Sequence, residues 1–330
     1  MNNFWKDYKE PIYALAPMED VTDTVFRELI ASVSSPDAVH VFMTEFVNTD
    51  GLCHELGSKR VIHRLQANES ELKMLKEKGI KLVAQIWGTN PDKNQEAIKK
   101  IANEMDYFDG IDINMGCPVP KIVKKGCCSG LIGSPTLAQE IIHASKEASP
   151  WPVSVKTRIG LDKVITEEWV EKVLECQPAA LSIHGRTQKQ MSDGLAKWDE
   201  IAKAVPIRNS LAPDCRIIGN GDVKSIQEAK EKVEEFNIDG AMIGRGIFQN
   251  PWLFNFEEPP RDPKKRLLLL WKHVSMFHET WGDKKNFNIL RRFFKVYSSN
   301  FNGAVPTRIR LMESTCYEDV EQILKDIDIL

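Results

Sequence analysis

The chain has 330 residues, enough for two average domains or one large α/β barrel, which excludes a peptide hormone or a small disulfide module. Its 42% hydrophobic and 28% charged residues supply a sizeable core and a soluble surface, so intrinsic disorder is not expected. The seven cysteines include no Cys-x-x-Cys pair and no zinc spacing. The first residues are polar where a signal peptide would be apolar, so none is expected, and no apolar run approaches the length of about 20 residues that a membrane helix needs. We expect a reduced, cytoplasmic monomer with no metal site and no membrane contact.

The formal net charge of -3 hides an uneven distribution along the chain. Residues 261–330 contain thirteen Lys and Arg against nine Asp and Glu, a local net charge of +4. The stretch from Lys284 to Arg310 contains seven basic residues and no acidic one, with aromatic residues between them. A single lysine or arginine is usually a solvated surface residue, but the cluster indicates a surface that binds a polyanion.

Eight short apolar segments each precede a stretch of helical periodicity, an alternation typical of a parallel sheet. In chain order they begin at Ile12, Val39, Lys81, Gly110, Pro152, Ala180, Cys215 and Asp239. Eight such units predict a closed (β/α)₈ barrel, the TIM barrel, in the α/β class. Helix start signals lie at Thr22, at Ser134 with Pro135, and at Ser225, and a last barrel helix is predicted after Pro251.

The segment EEPPRDPKKR, which begins at Glu257, is incompatible with regular structure and predicts a linker. Beyond it, apolar residues recur every three or four positions and no strand pattern is visible. We therefore predict a catalytic barrel over residues 1–258, followed by a small all-helical domain over residues 259–330.

Polar residues follow every predicted strand, which is where the active site of a TIM barrel lies. With the residues beside them, the strand ends are Pro17, Met18, Glu19, Thr44, Glu45, Gln85, Asn114, Cys117, Lys156, Arg158, His184, Arg186, Asn220, Gly221, Asp222, Gly244 and Arg245. Chance would place polar residues at one or two strand ends, so their presence at all eight favours a site. Glycine pairs on the last two strands let backbone amides approach an anion, which indicates a phosphate-bearing ligand.

Cys117 lies in the motif NMGCP, where Gly116 and Pro118 force a sharp exit from the fourth strand. A free cysteine is most often a small buried hydrophobe, but this position places the thiol at the barrel mouth. With an ordinary pKa of about 8.5, a thiol can act as a general acid as well as a nucleophile. Cys127 and Cys128 are interpreted as small side chains that fill a tight loop.

Together the motifs resemble those of the tRNA-dihydrouridine synthases, flavoproteins that reduce uridines in tRNA. The matching segments lie between residues 15 and 248 and read LAPMEDVTDTVFR from Leu15, TEFV from Thr44, QIWG from Gln85, GIDINMGCPVPKIVKKG from Gly110, VKTRIG from Val155, IHGRT from Ile183, GNGD from Gly219 and GAMIGRG from Gly240. Because these motifs are long, separate and ordered, they are more specific than any single glycine pattern.

The resemblance implies an FMN-binding barrel followed by a helical tRNA-recognition domain, with NADPH as electron donor. It implies that FMN is bound by Pro17, Met18, Glu19, Gln85, Lys156 and His184 near the ring, and by Asn220, Gly221, Asp222, Gly244 and Arg245 near the phosphate. Cys117 would be the general acid that protonates carbon 5 of uracil while hydride reaches carbon 6. Lys156 would balance negative charge.

The resemblance also implies contacts with the tRNA substrate. The candidate residues are Asn114, Arg158 and Arg186 near the base, and Arg291, Arg292, Lys295, Arg308 and Arg310 along the RNA backbone. One departure is the cysteine pair at Cys127 and Cys128, where many relatives have small residues, and oxidation of this pair would perturb Cys117. Two other functions stay open: an FMN barrel acting on a small pyrimidine or enone, and a catalytically silent tRNA-binding protein.

Overall fold

A computed structural model describes residues 3–9, 11–299 and 301–330 of the chain. The barrel is built from eight strands, which are Ile12–Leu15 (β1), Val41–Asn48 (β2), Lys81–Trp87 (β3), Gly110–Met115 (β4), Val153–Arg158 (β5), Ala180–His184 (β6), Arg216–Asn220 (β7) and Gly240–Ile243 (β8). Each strand runs parallel to its neighbours in chain order, and β8 closes the barrel by pairing with β1 through Tyr13 and Ala241. The predicted (β/α)₈ barrel is confirmed.

Fifteen α-helices are described in the chain outside Met1, Asn2, Glu10 and Asn300. They are Thr24–Val33 (α1), Thr49–Cys53 (α2), Glu55–Val61 (α3), Glu69–Lys78 (α4), Pro91–Glu104 (α5), Pro120–Val123 (α6), Pro135–Ala148 (α7), Thr166–Leu174 (α8), Trp198–Ala202 (α9), Ala204–Leu211 (α10), Ile226–Phe236 (α11), Pro263–Trp281 (α12), Arg291–Tyr297 (α13), Ala304–Glu313 (α14) and Tyr317–Lys325 (α15). Within that described part, no helix combines the length and apolar character needed to cross a bilayer.

Two of the three predicted helix starts are correct to the residue. Ser225 caps α11 by accepting a hydrogen bond from the amide of Glu228, and α7 begins at Pro135. At α1 the cap is Asp23 rather than Thr22, because the Asp23 carboxylate accepts from the amide of Phe26. The Thr22 hydroxyl instead bonds the backbone of the β1 loop.

The helix predicted after Pro251 is wrong. Residues 251–254 form turns, and the regular element after β8 is a short 3-10 turn over Arg245–Phe248. Three successive residues there, Trp252, Leu253 and Phe254, are all buried, whereas a surface helix would bury one face only. The next helix is α12, which begins at Pro263 and packs against α1. The predicted linker therefore ends earlier than expected, because proline is tolerated in the first turn of a helix and residues 263–266 are helical.

The C-terminal helices share an apolar core with the barrel. The ring of Phe293 on α13 lies 5.0 Å from that of Phe26 on α1, and 5.6 Å from that of Phe248 after β8 (centroid distances). Residues 259–299 and 301–330 contain helices and turns and no strand, as predicted. The division into two domains at residue 258 stays a prediction, and apolar contacts run across it.

Lys285 joins the C-terminal segment to the barrel through a buried ionic cluster. Its ammonium lies 3.0 Å from the Asp23 carboxylate, 3.2 Å from that of Glu45, and 4.2 Å from the centroid of the Trp281 ring. The three charged side chains are 7%, 7% and 1% exposed, respectively. Burial raises the pKa of Glu45, and the Lys285 charge opposes that shift. One cation of the basic stretch therefore faces inward and is unavailable to a polyanion.

We predict that Lys285→Ala lowers the free energy of unfolding by about 3–5 kcal/mol, because it leaves two buried carboxylates without their cation. Urea unfolding followed by circular dichroism measures this loss. Lys284→Ala is the matched control, since Lys284 is exposed, and we expect it to change stability by less than about 0.5 kcal/mol. Equal losses in the two variants would contradict the role given to the cluster.

Candidate active site

A cavity of about 710 Å³ opens at the carboxyl ends of the strands, within the usual size range for small ligands. Ten of the residues predicted for the site line it: Pro17, Met18, Lys156, Arg158, His184, Asn220, Gly221, Asp222, Gly244 and Arg245. We call it the large cavity.

Strand register explains why residues far apart in sequence meet there. Asn114 of β4 is opposite Lys156 of β5, and His184 of β6 is opposite both Arg158 of β5 and Asn220 of β7. The Lys156 ammonium donates to the Asn220 side-chain oxygen at 3.0 Å. That oxygen is free to accept because the other end of the amide donates to a backbone carbonyl of β8.

The large cavity has a positive electrostatic character. Burial lowers the pKa of Lys156 to about 8 and that of Arg158 to about 10. Burial also lowers the pKa of His184 well below its usual range, and the cations Arg158 and Lys156 lower it further, so the imidazole is neutral at physiological pH. Cations that have lost part of their hydration bind an anion strongly. This wall therefore favours a negatively charged ligand.

Two backbone turns form the rim of the large cavity at β7 and β8. Gly221 has a φ of +136° and Asp222 a φ of +60°, both in the region that favours glycine. A Cβ at Gly221 would lie 2.4 Å from that of Ala196, so only glycine fits. At Gly244 a Cβ would face the cavity lining, 3.5 Å from the Ala16 side chain. These turns bring the backbone to the wall of the large cavity.

Arg186 lies behind this rim and holds it in place. It is 2% exposed, and one of its terminal nitrogens donates to both oxygens of Asp222 at 2.7 and 2.6 Å. Asp222 also accepts from the Ala196 amide, and Arg245 lies 3.4 Å away. Both residues of the ion pair are thus already engaged with the protein, and the substrate-binding role of Arg186 and the cofactor-binding role of Asp222 stay predictions.

A second cavity of about 270 Å³, the thiol cavity, lies beside the loop of residues 116–119 that connects β4 to α6. We call this segment the Cys117 loop. Its lining consists of Glu19, Phe46, Asn48, Val61, Arg64, Trp87, Cys117, Val119 and Ile122. Glu19 therefore lies in this cavity and not in the large one. Its Oε1 accepts from Arg64 at 2.6 and 3.0 Å, while Oε2 is buried and has no hydrogen-bond partner among the described residues.

Arg64 was not predicted from the sequence. It lies in a 3-10 turn over Ile62–Leu65, far along the chain from the end of β2, so the strand-end rule does not point to it. The pairing with Glu19 is a contact of tertiary structure, and neither residue type nor spacing signals it.

The backbone of the Cys117 loop is held by hydrogen bonds on both sides. The amides of Gly116 and Cys117 donate to the Asn114 side-chain oxygen at 3.0 and 2.9 Å. Arg158 donates to the Gly116 carbonyl at 2.7 Å, and the Ser129 hydroxyl donates to the Cys117 carbonyl at 2.8 Å. Asn114 is 5% exposed, and Asn114 and Arg158 both hold the loop in this structure.

Cys128 makes a contact with Cys117 that the sequence did not predict. Both cysteines of the pair at 127 and 128 are buried, as expected for loop packing, but the Cys128 thiol hydrogen-bonds the Cys117 sulfur. This bond is the largest cause of a Cys117 pKa lowered to about 7, and it raises the pKa of Cys128 well above its ordinary value. Cys128 has a φ of +52°, which turns the chain so that residue 128 reaches back to 117.

Gln85 lies beneath the cavities, fully buried in β3. Its side-chain amide is bonded at one end to Asp112 and at the other to Asn114. The described residues that line the two cavities do not include Gln85, so the predicted contact with a flavin ring stays a prediction.

The five basic residues predicted to contact RNA lie on α13 and α14, outside both cavities. Arg291 donates to the Ser314 carbonyl at 2.8 Å, and Arg310 forms an ion pair with Asp326. Arg308 reaches the Ser298 carbonyl at 3.4 Å. The other two, Arg292 and Lys295, are exposed one turn apart on α13. Arg292 reaches the Asp20 carbonyl of the β1 loop at 3.1 Å, so this end of α13 faces the barrel mouth.

Among solved structures, the fold is similar to that of a 2-naphthoyl-CoA reductase bound to 2-naphthoyl-CoA. The TM-score is 0.50 at 11% identity, over 73% of this chain and 49% of that chain. Identity this low shows a likeness of fold alone.

Comparisons of sequence extend over the whole chain. The family model described as dihydrouridine synthase (Dus) matches residues 14–329. A probable tRNA-dihydrouridine synthase of Staphylococcus aureus (strain COL) is 42% identical over 330 residues, 99% of this chain and 96% of the relative. A probable tRNA-dihydrouridine synthase 2 of Bacillus subtilis (strain 168) is 39% identical over 99% of this chain and 97% of the relative. The chain therefore belongs to the dihydrouridine synthase family and is an oxidoreductase of that family.

Proposed function

We propose that this enzyme reduces the carbon 5–carbon 6 double bond of a uridine in tRNA, with FMN as bound cofactor and NADPH as electron donor. The observation that carries the proposal is the pairing of two cavities at one barrel mouth. The large cavity is cationic and rimmed by glycine turns, and the thiol cavity holds a sulfur with a pKa of about 7. Full-length relatives described as probable tRNA-dihydrouridine synthases support the choice of substrate.

The large cavity fits FMN by its donor set. Gly221, Gly244 and Arg245 would bind the phosphate, since they combine close backbone approach with a positive charge. Lys156 and the neutral His184 would face the polar edge of the ring. FMN bound there supplies hydride chemistry that no side chain of this protein provides. Lys156, buried with a lowered pKa, would stabilise negative charge that develops near the ring.

Cys117 would act on a uracil base bound in the thiol cavity, which is large enough for one ring. A general acid works best when its pKa lies near the working pH, and a Cys117 pKa of about 7 meets that condition. The proton would pass from the Cys117 sulfur to carbon 5 on one face of the ring. Phe46 and Trp87 supply apolar walls that exclude water from the base.

A uracil stacked within folded tRNA cannot reach the thiol cavity, so the base must swing out of its stack. Arg292 and Lys295 on α13 would bind the phosphates beside it, because both side chains are exposed and Arg292, at the first turn of the helix, reaches the β1 loop at the barrel mouth. Arg291, Arg308 and Arg310 would add to the positive electrostatic potential that attracts the RNA backbone at longer range. A cytoplasmic monomer stays our expectation.

The two alternatives differ in the use of these parts. A flavin barrel acting on a small pyrimidine or enone would leave the exposed cations of α13 without a role. A silent tRNA-binding protein would leave unexplained why the Cys117 thiol has an adjusted pKa inside a base-sized cavity.

We predict that Cys117→Ala retains bound flavin and NADPH oxidation while dihydrouridine formation falls roughly 10²- to 10⁴-fold, because only the proton donor is lost. Flavin absorbance, NADPH consumption and nucleoside mass spectrometry measure the three properties. Cys316→Ala, at a half-buried cysteine before α15, is the matched control. Undiminished turnover in Cys117→Ala would assign proton donation to another group.

We predict that Cys128→Ala raises the pKa of Cys117, because the thiolate loses the hydrogen bond that stabilises it. The pH dependence of Cys117 alkylation by iodoacetamide, followed by peptide mass spectrometry, should shift to higher pH. The alkaline limb of the activity profile should shift the same way, since Cys117 must be protonated to act. Cys127→Ala is the control, and a shift of the same size there would contradict a specific role for Cys128.

We predict that Lys295→Ala weakens tRNA binding several-fold and reduces the slope of log affinity against log salt by roughly 0.7 to 1, as loss of one phosphate contact requires. Filter binding at several salt concentrations measures both. Lys99→Ala on α5 removes an exposed cation from the barrel side and should leave the slope unchanged. An unchanged slope in Lys295→Ala would remove α13 from the RNA-binding surface.

A further inference from the structure

Asp112 is a fully buried carboxylate at the centre of the barrel, and the chemistry proposed above does not use it. It lies on β4 and accepts from the Ser154 hydroxyl at 2.6 Å and from the Gln85 side-chain nitrogen at 2.7 Å. Burial raises the pKa of Asp112 to about 6. A buried carboxylate is costly to keep, so its presence at this point calls for a function.

The Cys117 loop fixes the orientation of the side chains that lead to Asp112. Backbone amides can only donate, so the amides of Gly116 and Cys117 require the oxygen of Asn114 to face them. The Asn114 nitrogen must then point away, and it donates to the Gln85 oxygen at 2.9 Å. The Gln85 nitrogen is left to face Asp112, which must accept. Reversing either amide would set donor against donor or acceptor against acceptor.

We propose that Asp112 is a positioning residue for the proton donor. As the last acceptor in this series of hydrogen-bonded side chains, it orients Gln85 and Asn114 and so holds the Cys117 loop. The proposal rests on the proposed function in one respect, the role of Cys117 as general acid. Without an acceptor at residue 112, the buried Gln85 nitrogen is left unpaired, and that cost opposes the bonds that hold Gln85 and Asn114 in their present orientation, so we expect both side chains to reverse part of the time. The amides of Gly116 and Cys117 then lose their shared acceptor, and the thiol leaves the place where Cys128 and Arg158 lower its pKa.

A second physical role for Asp112 is separable by experiment. The negative charge of Asp112 also stabilises the protonated form of Lys156, which raises the pKa of that lysine. A role in charge requires a carboxylate, whereas orientation of the amides requires only an acceptor. Asp112→Asn keeps an acceptor for Gln85 and can donate its nitrogen to the Ser154 oxygen. Asp112→Leu has a similar shape and no acceptor.

The test compares the full-length Asp112→Leu and Asp112→Asn proteins with wild type. For Asp112→Leu we expect the alkylation pKa of Cys117 to rise from about 7 towards about 8.5. We expect kcat for dihydrouridine formation to fall roughly 10- to 100-fold, with KM for tRNA changed less than about twofold, because a displaced reacting group impairs chemistry and not RNA binding. Asp112→Asn should restore the wild-type alkylation profile. Ser154→Ala is the control and should match wild type, because Ser154 donates to Asp112 but is not part of the hydrogen-bonded series that leads to the Cys117 loop.

An exchange of groups covers the case in which Asp112→Leu does not fold. Gln85→Glu removes the donor that Asp112 accepts and sets a second buried carboxyl against it, and we expect this to raise the alkylation pKa of Cys117. In the double variant Gln85→Glu with Asp112→Asn, residue 112 becomes the donor and residue 85 the acceptor, and the total charge is unchanged. The alkylation pKa should then return to the wild-type value. This readout needs neither flavin nor tRNA.

Two results would overturn the inference. One is a wild-type alkylation profile in a folded Asp112→Leu or, where that variant does not fold, a double variant whose alkylation pKa stays as high as that of Gln85→Glu. The other is an equal rise of the Cys117 alkylation pKa in Asp112→Asn and Asp112→Leu, which would assign Asp112 an electrostatic role that requires its negative charge. If wild-type protein forms no dihydrouridine, the proposed function fails, while the alkylation profiles still decide whether Asp112 positions the Cys117 loop.

Discussion

Closure of the barrel by the pairing of β8 with β1 is the constraint on which the site depends. Once all eight parallel strands are in register, their carboxyl ends form one rim and alternate side chains point inward. Lys156 and Asn220 are thereby brought within 3.0 Å although β6 separates their strands along the chain. The same closure places the glycine turns of β7 and β8 beside the Met18 loop of β1, which together form the wall of the large cavity.

Within this frame, hydrogen bonds beneath the rim hold the reactive groups above it. Arg158 and Asn114 hold the Cys117 loop from opposite sides, and Arg186 holds the β7 turn through Asp222. Several polar residues at the strand ends therefore position other parts of the protein, while others line the large cavity. Pre-organisation of this kind lowers the cost of arranging charges and donors during a reaction.

The fold could be predicted from the sequence because apolar runs mark the strands. Strand ends mark the rim of a barrel, so the sequence also predicts that Lys156, His184 and Asn220 lie together, and in the structure they line one cavity. The helix predicted after Pro251 was wrong because three successive aromatic or aliphatic residues there pack inward.

Other features depend on contacts between segments distant in sequence. Arg64 reaches Glu19, and Lys285 reaches Glu45 across 240 positions, and no periodicity signals either pair. Cys128 looks like loop packing until its positive φ turns it towards Cys117. Asp112 resembles an ordinary strand residue in the sequence, and its role emerges only from the directions of the hydrogen bonds around it.

If this barrel reduces uridine in tRNA, the mass of the tRNA nucleosides after reaction reveals it. Purified protein with bound flavin would be mixed with NADPH and tRNA that lacks dihydrouridine, and the digested nucleosides analysed by mass spectrometry. We expect a uridine-derived nucleoside that has gained two hydrogen atoms, in proportion to the NADPH consumed. NADPH oxidation without any such nucleoside, on every tRNA supplied, would contradict it.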